Sequence, residues 1–339
     1  MAFKLPQPFL PKKKSDSAQV IRRSPIAGLE NLQKTDFSNS ELIGKGSYGK
    51  IFKVIRNGKE FVVKGLVTQD ATDHENDLFL KEAKLMASLK GHPNVLQIHG
   101  YSMTDNSLLL EFMSFSFERL NLNNDSVSNL KDLLKTCDRI NDFEGFEHMP
   151  YHLALDICTG LDYLHQKGIV HRDLKPDNIL VSNQHYLECT EEDLKYWWLN
   201  KPVVAKLTDF EESRSLLVQT RTLCKTSTLN LIGGSPVYMA PEAILGGTTN
   251  ADIGALKRMD IWSLGMVTFH LLNPDAKYAY ADELNEMCSS SPMEAVKDFL
   301  RDKKPPRNLA KYEEKSHGPW SRIVELCSAS LHFDASTVI

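Results

Sequence analysis

The 339-residue sequence lacks the features that mark several specialised classes of protein. Its six cysteines form no Cys-x-x-Cys pair and have no spacing typical of a disulfide framework or a metal centre. We therefore expect reduced thiols and a cytoplasmic protein, with access to the nucleus as an alternative. No apolar stretch typical of a secretory signal follows the first charges, and the longest apolar run, near 261–272, is too short to span a membrane.

The chain also lacks a large charge of either sign. Its formal net charge of -4 argues against nucleic acid or an anionic membrane as the main partner. The charge is uneven, because residues 1–36 hold seven Lys or Arg and three Asp or Glu, together with four prolines. We predict that this segment is a basic, disordered tail, the alternative being a nuclear-localisation or phosphoinositide-binding role for Lys12–Lys14.

What remains is ordinary globular sequence, with 42% hydrophobic and 25% charged residues. Its length suggests about two domains or lobes. Strand-like runs flank Asn57-Gly58, a strong hairpin signal, and helical periodicity dominates after Pro150. This order predicts an α+β fold, with a small β-rich lobe over 37–113 that carries one main helix and a larger, mainly helical lobe over 114–339.

Three glycines, Gly44, Gly46 and Gly49, would let backbone N–H groups approach a phosphate. A Gly-x-Gly-x-x-Gly pattern alone is weak, and a plain glycine-rich turn is the alternative. A dinucleotide-binding fold would place a helix after it. Here the strand-like residues 51–54 follow, which disfavours that fold.

Lys64 and Glu82 are a candidate pair. Glu82 shares a helix face with the apolar Leu78 and Met86, where a carboxylate is costly unless it is paired. Lys64, inside an upstream strand, is the best candidate partner. The alternatives are a surface lysine on an edge strand and a boundary glutamate that reaches solvent.

The densest signal is the string from His171 to Asn178, between a helix that ends at Gly168 and the apolar strand 179–181. It resembles the catalytic loop of the eukaryotic protein kinase family, H-R-D-x-K-x-x-N, at every defining position. The resemblance implies that Asp173 accepts or orients the proton of a substrate hydroxyl and that Lys175 stabilises charge on the γ-phosphate. It also implies that Asn178 holds magnesium.

Other motifs follow in family order, so that the resemblance covers about 37–339. Asp209-Phe210 resembles the metal-binding Asp-Phe-Gly, Ala240-Pro241-Glu242 the Ala-Pro-Glu segment, and Asp260 the start of a buried helix under the catalytic loop. Leu110 is the expected gatekeeper. The residues that the resemblance assigns to ATP binding are Ile43, Gly44, Lys45, Gly46, Ser47, Tyr48, Gly49, Ile51, Val62, Lys64, Glu82, Glu111, Met113 and Leu180.

By this resemblance, the fold is the bilobal kinase fold and the chemistry is transfer of the γ-phosphate of ATP, with Mg²⁺, to Ser or Thr hydroxyls of protein substrates. Lys175 favours the serine/threonine branch. A pseudokinase scaffold that binds nucleotide or partners with little turnover is the main alternative, and a small-molecule kinase is a third. Glu211, where the family has glycine, favours the pseudokinase, but we expect activity to be retained because Asp209 is present.

Three further departures from the family carry expectations. Residues 182–205 read as a surface insertion packed by Trp197 and Trp198, or as a docking site. In the activation segment, 209–242, an upstream activating kinase is expected to phosphorylate a hydroxyl among Thr226, Ser227 and Thr228, and Arg172 would receive that phosphate. Val338 stands where the family has an arginine that pairs with Glu242, so a truncated C-terminal end is one reading.

Overall fold

The computed structural model describes residues 26–33, 36, 38–45, 49–66, 73–118, 126–140, 149–210, 213–215, 236–245, 252–287, 292–309, 312 and 320–333. Several predictions from the sequence lie outside these residues. They concern most of the basic tail, the glycine-loop residues Gly46, Ser47 and Tyr48, the glycine replacement Glu211, the hydroxyls Thr226, Ser227 and Thr228, and the C-terminal Val338.

The small lobe is a six-stranded sheet with one long helix, as the sequence predicts. The chain order is β1 (Glu30–Asn31), β2 (Ser38–Lys45), β3 (Gly49–Arg56), β4 (Lys59–Leu66), α1 (Asp73–Ser88), β5 (Ile98–Ser102) and β6 (Ser107–Glu111). In the sheet the order is β1-β5-β6-β4-β3-β2. The predicted hairpin is confirmed: β3 pairs antiparallel with β4 around Asn57 and Gly58, which have φ angles of 51° and 73°.

The prediction that residues 1–36 form a tail outside the fold is wrong for residues 26–33. Ile26 and Leu32 are buried at 5% and 1% exposure, and β1 pairs in parallel with β5. Charge and proline content, taken over 36 residues, concealed the apolar Ile26, Leu29 and Leu32. Residues 26–33 therefore belong to the small lobe, although they precede residue 37.

The large lobe is mainly helical, as expected. Its elements are β7 (Phe115–Ser116), β8 (Ser126–Val127), α2 (Leu130–Ile140), α3 (Met149–Gln166), β9 (Ile169–Val170), β10 (Ile179–Ser182), α4 (Glu191–Asn200), β11 (Val204–Leu207), β12 (Arg214–Ser215), α5 (Pro241–Ile244), α6 (Ile253–Leu272), α7 (Ala281–Met287), α8 (Pro292–Arg301) and α9 (Ser321–Ser330).

Helix α6 is the buried helix that the apolar run near 261–272 predicts, but it begins eight residues earlier, at Ile253. Asp252 caps it by accepting a hydrogen bond from the Ala255 N–H, so polar capping extends the helix beyond its apolar core. None of the described helices is long and apolar enough to cross a membrane.

The insertion between the antiparallel strands β10 and β11 folds into α4. The Thr190 hydroxyl accepts a hydrogen bond from the Asp193 N–H and caps the helix. Trp197 packs edge-on against His185, and Trp198 packs against the main core. These contacts agree with an insertion packed by its own tryptophans.

Candidate active site

Lys64 and Glu82 form the ion pair that the sequence suggests. The Lys64 Nζ lies 3.2 Å from Glu82 Oε1 and 3.6 Å from Asp209 Oδ1. Burial raises the pKa of Glu82, while the charge and hydrogen bond of Lys64 act in the opposite direction. The pair joins β4 to α1 and brings a cation beside Asp209.

The catalytic-loop residues form one hydrogen-bonded cluster. Asp173 Oδ2 accepts hydrogen bonds from Lys175 Nζ at 2.6 Å and from Asn178 Nδ2 at 2.9 Å. Asn178 Nδ2 also donates to the Asp173 carbonyl at 2.8 Å. Asp173 and Lys175 keep about a fifth of their side-chain surface exposed (21% and 18%). The carboxylate is therefore held in place and still accessible to a hydroxyl.

Helix α6 supports this loop through Asp260, which is fully buried. Its carboxylate accepts hydrogen bonds from the backbone N–H groups of His171 and Arg172, both at 2.8 Å. His165 Nε2, in the last turn of α3, lies 2.9 Å from the same carboxylate. The sequence pointed to Asp260 but not to His165, because a histidine at a helix end carries no signal of its own.

Asp209 follows β11 in a left-handed backbone conformation, with a φ of 65°. Phe210 next to it is buried and its ring contacts that of His171, with centroids 5.5 Å apart. His171 Nε2 also lies 3.0 Å from the Thr208 carbonyl. These contacts connect the segment that carries Asp209 to the catalytic loop.

Asp209 and Asn178 fit a magnesium ion. Asp209 Oδ1 is buried and has no hydrogen-bond partner among the described residues, an arrangement that a cation would satisfy. The amide nitrogen of Asn178 is bonded to Asp173, which leaves the amide oxygen as a ligand atom. No group of three or more His, Cys, Asp or Glu among the described residues could hold a metal, and Mg²⁺ in phosphotransfer sites typically uses one or two carboxylates plus phosphates.

The described part of the glycine-rich loop leads to Lys64. Gly44 pairs with Ile51 across β2 and β3, and Ile51 pairs with Lys64 across β3 and β4. The base of the loop and the lysine thus share one row of the sheet. Of the residues assigned to ATP binding, Val62 and Leu180 are half-buried and Met113 is buried; the expected gatekeeper Leu110 is also buried. Their contacts with a nucleotide stay predictions, as do those of Lys45, Gly49 and Glu111.

The side chain of Glu111 has a role that the sequence did not indicate. Both of its oxygens accept hydrogen bonds from Lys206 Nζ, at 2.8 and 2.7 Å, and Oε1 accepts another from the Gln97 N–H. Lys206 lies on β11, three residues before Asp209. The pair joins the end of β6 in the small lobe to the strand that leads to Asp209.

The segment that precedes α5 is attached to α6. The Tyr238 hydroxyl lies 2.9 Å from His270 Nε2, and Ser263 Oγ donates to the Tyr238 carbonyl. Burial lowers the pKa of His270 to about 4, so the imidazole is neutral near pH 7. Glu242 is half-buried, and Val338, which stands where the family has the pairing arginine, lies outside the described residues, so the missing partner stays a prediction.

The Protein kinase domain profile matches residues 37–335. An Aurora kinase of Eremothecium gossypii is 25% identical over 253 residues, 73% of this chain and 56% of the relative. The ovarian-specific serine/threonine-protein kinase Lok of Drosophila melanogaster is 32% identical over 255 residues, 72% of this chain and 44% of the relative. MAP kinase-interacting serine/threonine-protein kinase 1 of Xenopus laevis is 30% identical over 238 residues, 69% of this chain and 49% of the relative. The chain matches about half the length of these relatives.

Proposed function

The chain belongs to the protein kinase domain family, and from this premise we propose that it transfers the γ-phosphate of ATP to serine or threonine hydroxyls of other proteins. The observation that carries the proposal is the cluster around Asp173. The Asp173 carboxylate, about a fifth exposed and held by Lys175 and Asn178, lies on the same loop as Asn178, whose amide oxygen is a fitting metal ligand. Phosphoryl transfer needs this kind of positioning and charge neutralisation more than covalent help.

The acidic and basic residues of the site have different roles in the proposed reaction. Mg-ATP, when bound, supplies the phosphoryl group and part of the charge neutralisation. Asp173 accepts the hydrogen bond of the substrate hydroxyl and orients its oxygen, because both of its neighbours fix the carboxylate. Lys175, beside Asp173, offsets the negative charge of the γ-phosphate. Lys64, oriented by Glu82, provides a second cation near Asp209 for the phosphates of the nucleotide.

Two observations support serine and threonine as acceptors. Lys175 stands two residues after Asp173, as in the serine/threonine branch that the sequence resembles. Two of the relatives also carry serine/threonine-protein kinase in their names. The anchoring of Tyr238 on α6 gives the segment before α5 a fixed position, and we assign protein-substrate docking to this segment.

Regulation and location are part of the same proposal. An upstream activating kinase would phosphorylate one of Thr226, Ser227 and Thr228, and Arg172 would receive the phosphate. Mass spectrometry of active enzyme tests this site, and an active enzyme without phosphate in that stretch would refute it. The cysteine pattern supports a cytoplasmic location.

One assay separates an active kinase from a nucleotide-binding scaffold. Labelled ATP with magnesium and a generic protein substrate would be incubated with wild type, Asp173→Asn and the control Asp162→Asn on the surface of α3. We expect Asp173→Asn to lower transfer by about 10²–10⁴-fold and the control to match wild type. Equal transfer by wild type and Asp173→Asn would overturn the proposal. ATP binding without transfer in both would favour the scaffold.

A further inference from the structure

Residues 26–33, which we name the N-terminal strap, precede the residues that match the family. The strap is nevertheless bonded into the small lobe. The Ile26 N–H donates to the Tyr101 hydroxyl at 3.1 Å, and the Leu32 N–H donates to the Tyr101 carbonyl at 2.7 Å. Asn31 Oδ1 accepts a hydrogen bond from the Met103 N–H. Tyr101, on β5, thus receives a bond from each end of the strap.

The strap contacts both faces of β5, because successive side chains of a strand point to opposite faces. On one face, Leu32 covers Gly100 so closely that a Cβ at Gly100 would lie 2.5 Å from Leu32 Cδ1. There Leu32 forms a small apolar cluster with Val54 and Leu109. The opposite face carries the ring of Tyr101, which is 2% exposed and which Ile26 contacts through its N–H.

Tyr101 and the inner side of α1 belong to the same packed core. Helix α1 contacts β5, and its inner residues Phe79, Ala83 and Met86 belong to the same core as Ile26 and Tyr101. Glu82, next to Ala83, is the residue that pairs with Lys64. Ile26 of the strap, Tyr101 and the helix that carries Glu82 therefore belong to one core, and β5 is the strand that contacts that helix.

We propose that the N-terminal strap is a positioning element of the candidate active site. It fixes the position in which α1 packs on β5 and thereby the distance between Glu82 and Lys64. Tyr101 is the positioning residue through which it acts. The strap touches none of the candidate catalytic groups, so its effect is on how often the Lys64–Glu82 pair is formed. The consequence for catalysis rests on the proposed kinase function, whereas the effect on α1 does not.

The test uses single substitutions in the full chain. Leu32→Ala removes the cover of Gly100, and Tyr101→Phe removes only the hydroxyl that accepts the Ile26 N–H. Both should speed backbone amide hydrogen exchange within 73–88 by about 5–30-fold. This is the change expected when the loss of one or two contacts lowers the local free energy of opening. Leu300→Ala, a buried leucine of α8, is the matched control and should leave exchange in 73–88 unchanged.

Activity provides a second readout, well below the unfolding temperature. Both strap variants should lower kcat about 3–10-fold with little change in the KM for ATP, because fewer molecules hold Glu82 in place at any moment. A loss of stability alone would not lower kcat at that temperature. If α1 exchanges as in wild type in both strap variants, or if Leu300→Ala accelerates it equally, the inference is overturned.

A double-mutant cycle isolates the contact itself. Gly100→Ala should disturb the full chain, since its Cβ would meet Leu32 Cδ1 at 2.5 Å. It should be milder in the Leu32→Ala background, where the Glu30 carbonyl oxygen at 3.1 Å is the close neighbour that remains. Additive effects on exchange in 73–88 would contradict the proposed route. If the protein transfers no phosphate, the exchange data still decide about the strap. If the protein transfers phosphate and amide exchange within 73–88 is unchanged in the strap variants, only the strap inference fails.

Discussion

Lys206 on β11 and Glu111 at the end of β6 form a two-pronged ion pair between the lobes, with both carboxylate oxygens within 2.8 Å of the Lys206 Nζ. The Lys206 side chain is 13% exposed and that of Glu111 is 20% exposed. Solvent therefore screens the pair only in part, and each charge depends on the other.

Lys206→Met should destabilise the protein by about 1–3 kcal/mol, because it leaves the half-buried Glu111 carboxylate with too few donors. Chemical denaturation would measure the loss. Lys206→Arg is the control, since it keeps the charge. We also expect a higher KM for ATP, because the resemblance assigns Glu111 to ATP binding. An unchanged stability in Lys206→Met would show that water replaces the lysine.

Glu82→Gln should separate stability from activity. Burial raises the pKa of Glu82 above its ordinary 4.5, so the folded protein holds this proton more tightly than the unfolded chain does, and stability is lost as pH rises from 4.5 through the folded pKa. The stability advantage of Glu82→Gln over wild type should therefore be larger at pH 8 than at pH 5. Its activity should fall by about 10²-fold, because Lys64 loses the group that orients it.

The measurements for Glu82→Gln are thermal unfolding at both pH values and phosphate transfer at pH 7.5. Glu82→Asp keeps the charge and serves as control for the pH effect. A stability difference that grows toward pH 5 would contradict the direction of the pKa shift.

His270→Gln should flatten the acid limb of the stability profile. Burial lowers the pKa of His270 from an ordinary 6.5 to about 4, so the folded protein favours the neutral imidazole. The contribution of His270 to the free energy of unfolding is therefore complete above pH 6.5 and is lost as pH falls toward 4. The wild-type slope from this residue is at most about 1.4 kcal/mol per pH unit. Urea unfolding at pH 7, 6 and 5 would measure it.

Tyr238→Phe is the companion variant for His270, because it removes the hydroxyl partner and keeps the ring. It should lower stability at pH 7 and leave the acid slope in place. Equal slopes in His270→Gln and wild type would show that another group causes the acid effect. Two charges act on the pKa of His270: Lys131 lowers it and Asp177 raises it, and these two residues form an exposed ion pair.

Trp198→Ala should loosen α4 without affecting phosphate transfer. The tryptophan packs against the main core, whereas Leu199, beside it, is 63% exposed and serves as a control as Leu199→Ser. Proteolysis within 188–201 should become faster in Trp198→Ala only. A parallel loss of phosphate transfer would connect the insertion to the active site.

The sequence predicted the parts of the site that carry a strong local signal. Glu82 stands on an apolar helix face, where burial requires a partner, so Lys64 followed from physical reasoning. The cluster of Asp173, Lys175 and Asn178 lies within six residues and was recognisable as a motif. Asp209 and Asp260 followed from their neighbours in the same way.

The missed contacts have no local signal. Glu111 and Lys206 are 95 residues apart, and neither stands in a periodic pattern that would reveal burial. Tyr238 and His270 meet only because α6 passes under the segment before α5. The strap was missed for another reason: three apolar residues were averaged with a basic, proline-rich segment.

The position of β1 bears on how the protein can be produced. A recombinant fragment that begins at residue 37, where the family match starts, would leave the backbone N–H and C=O groups of β5 unpaired along the sheet edge. It would also uncover the apolar surface around Leu109 and Val54. An open edge beside exposed apolar side chains is a template for pairing between chains, so such a fragment should aggregate more readily than one that begins before Ile26.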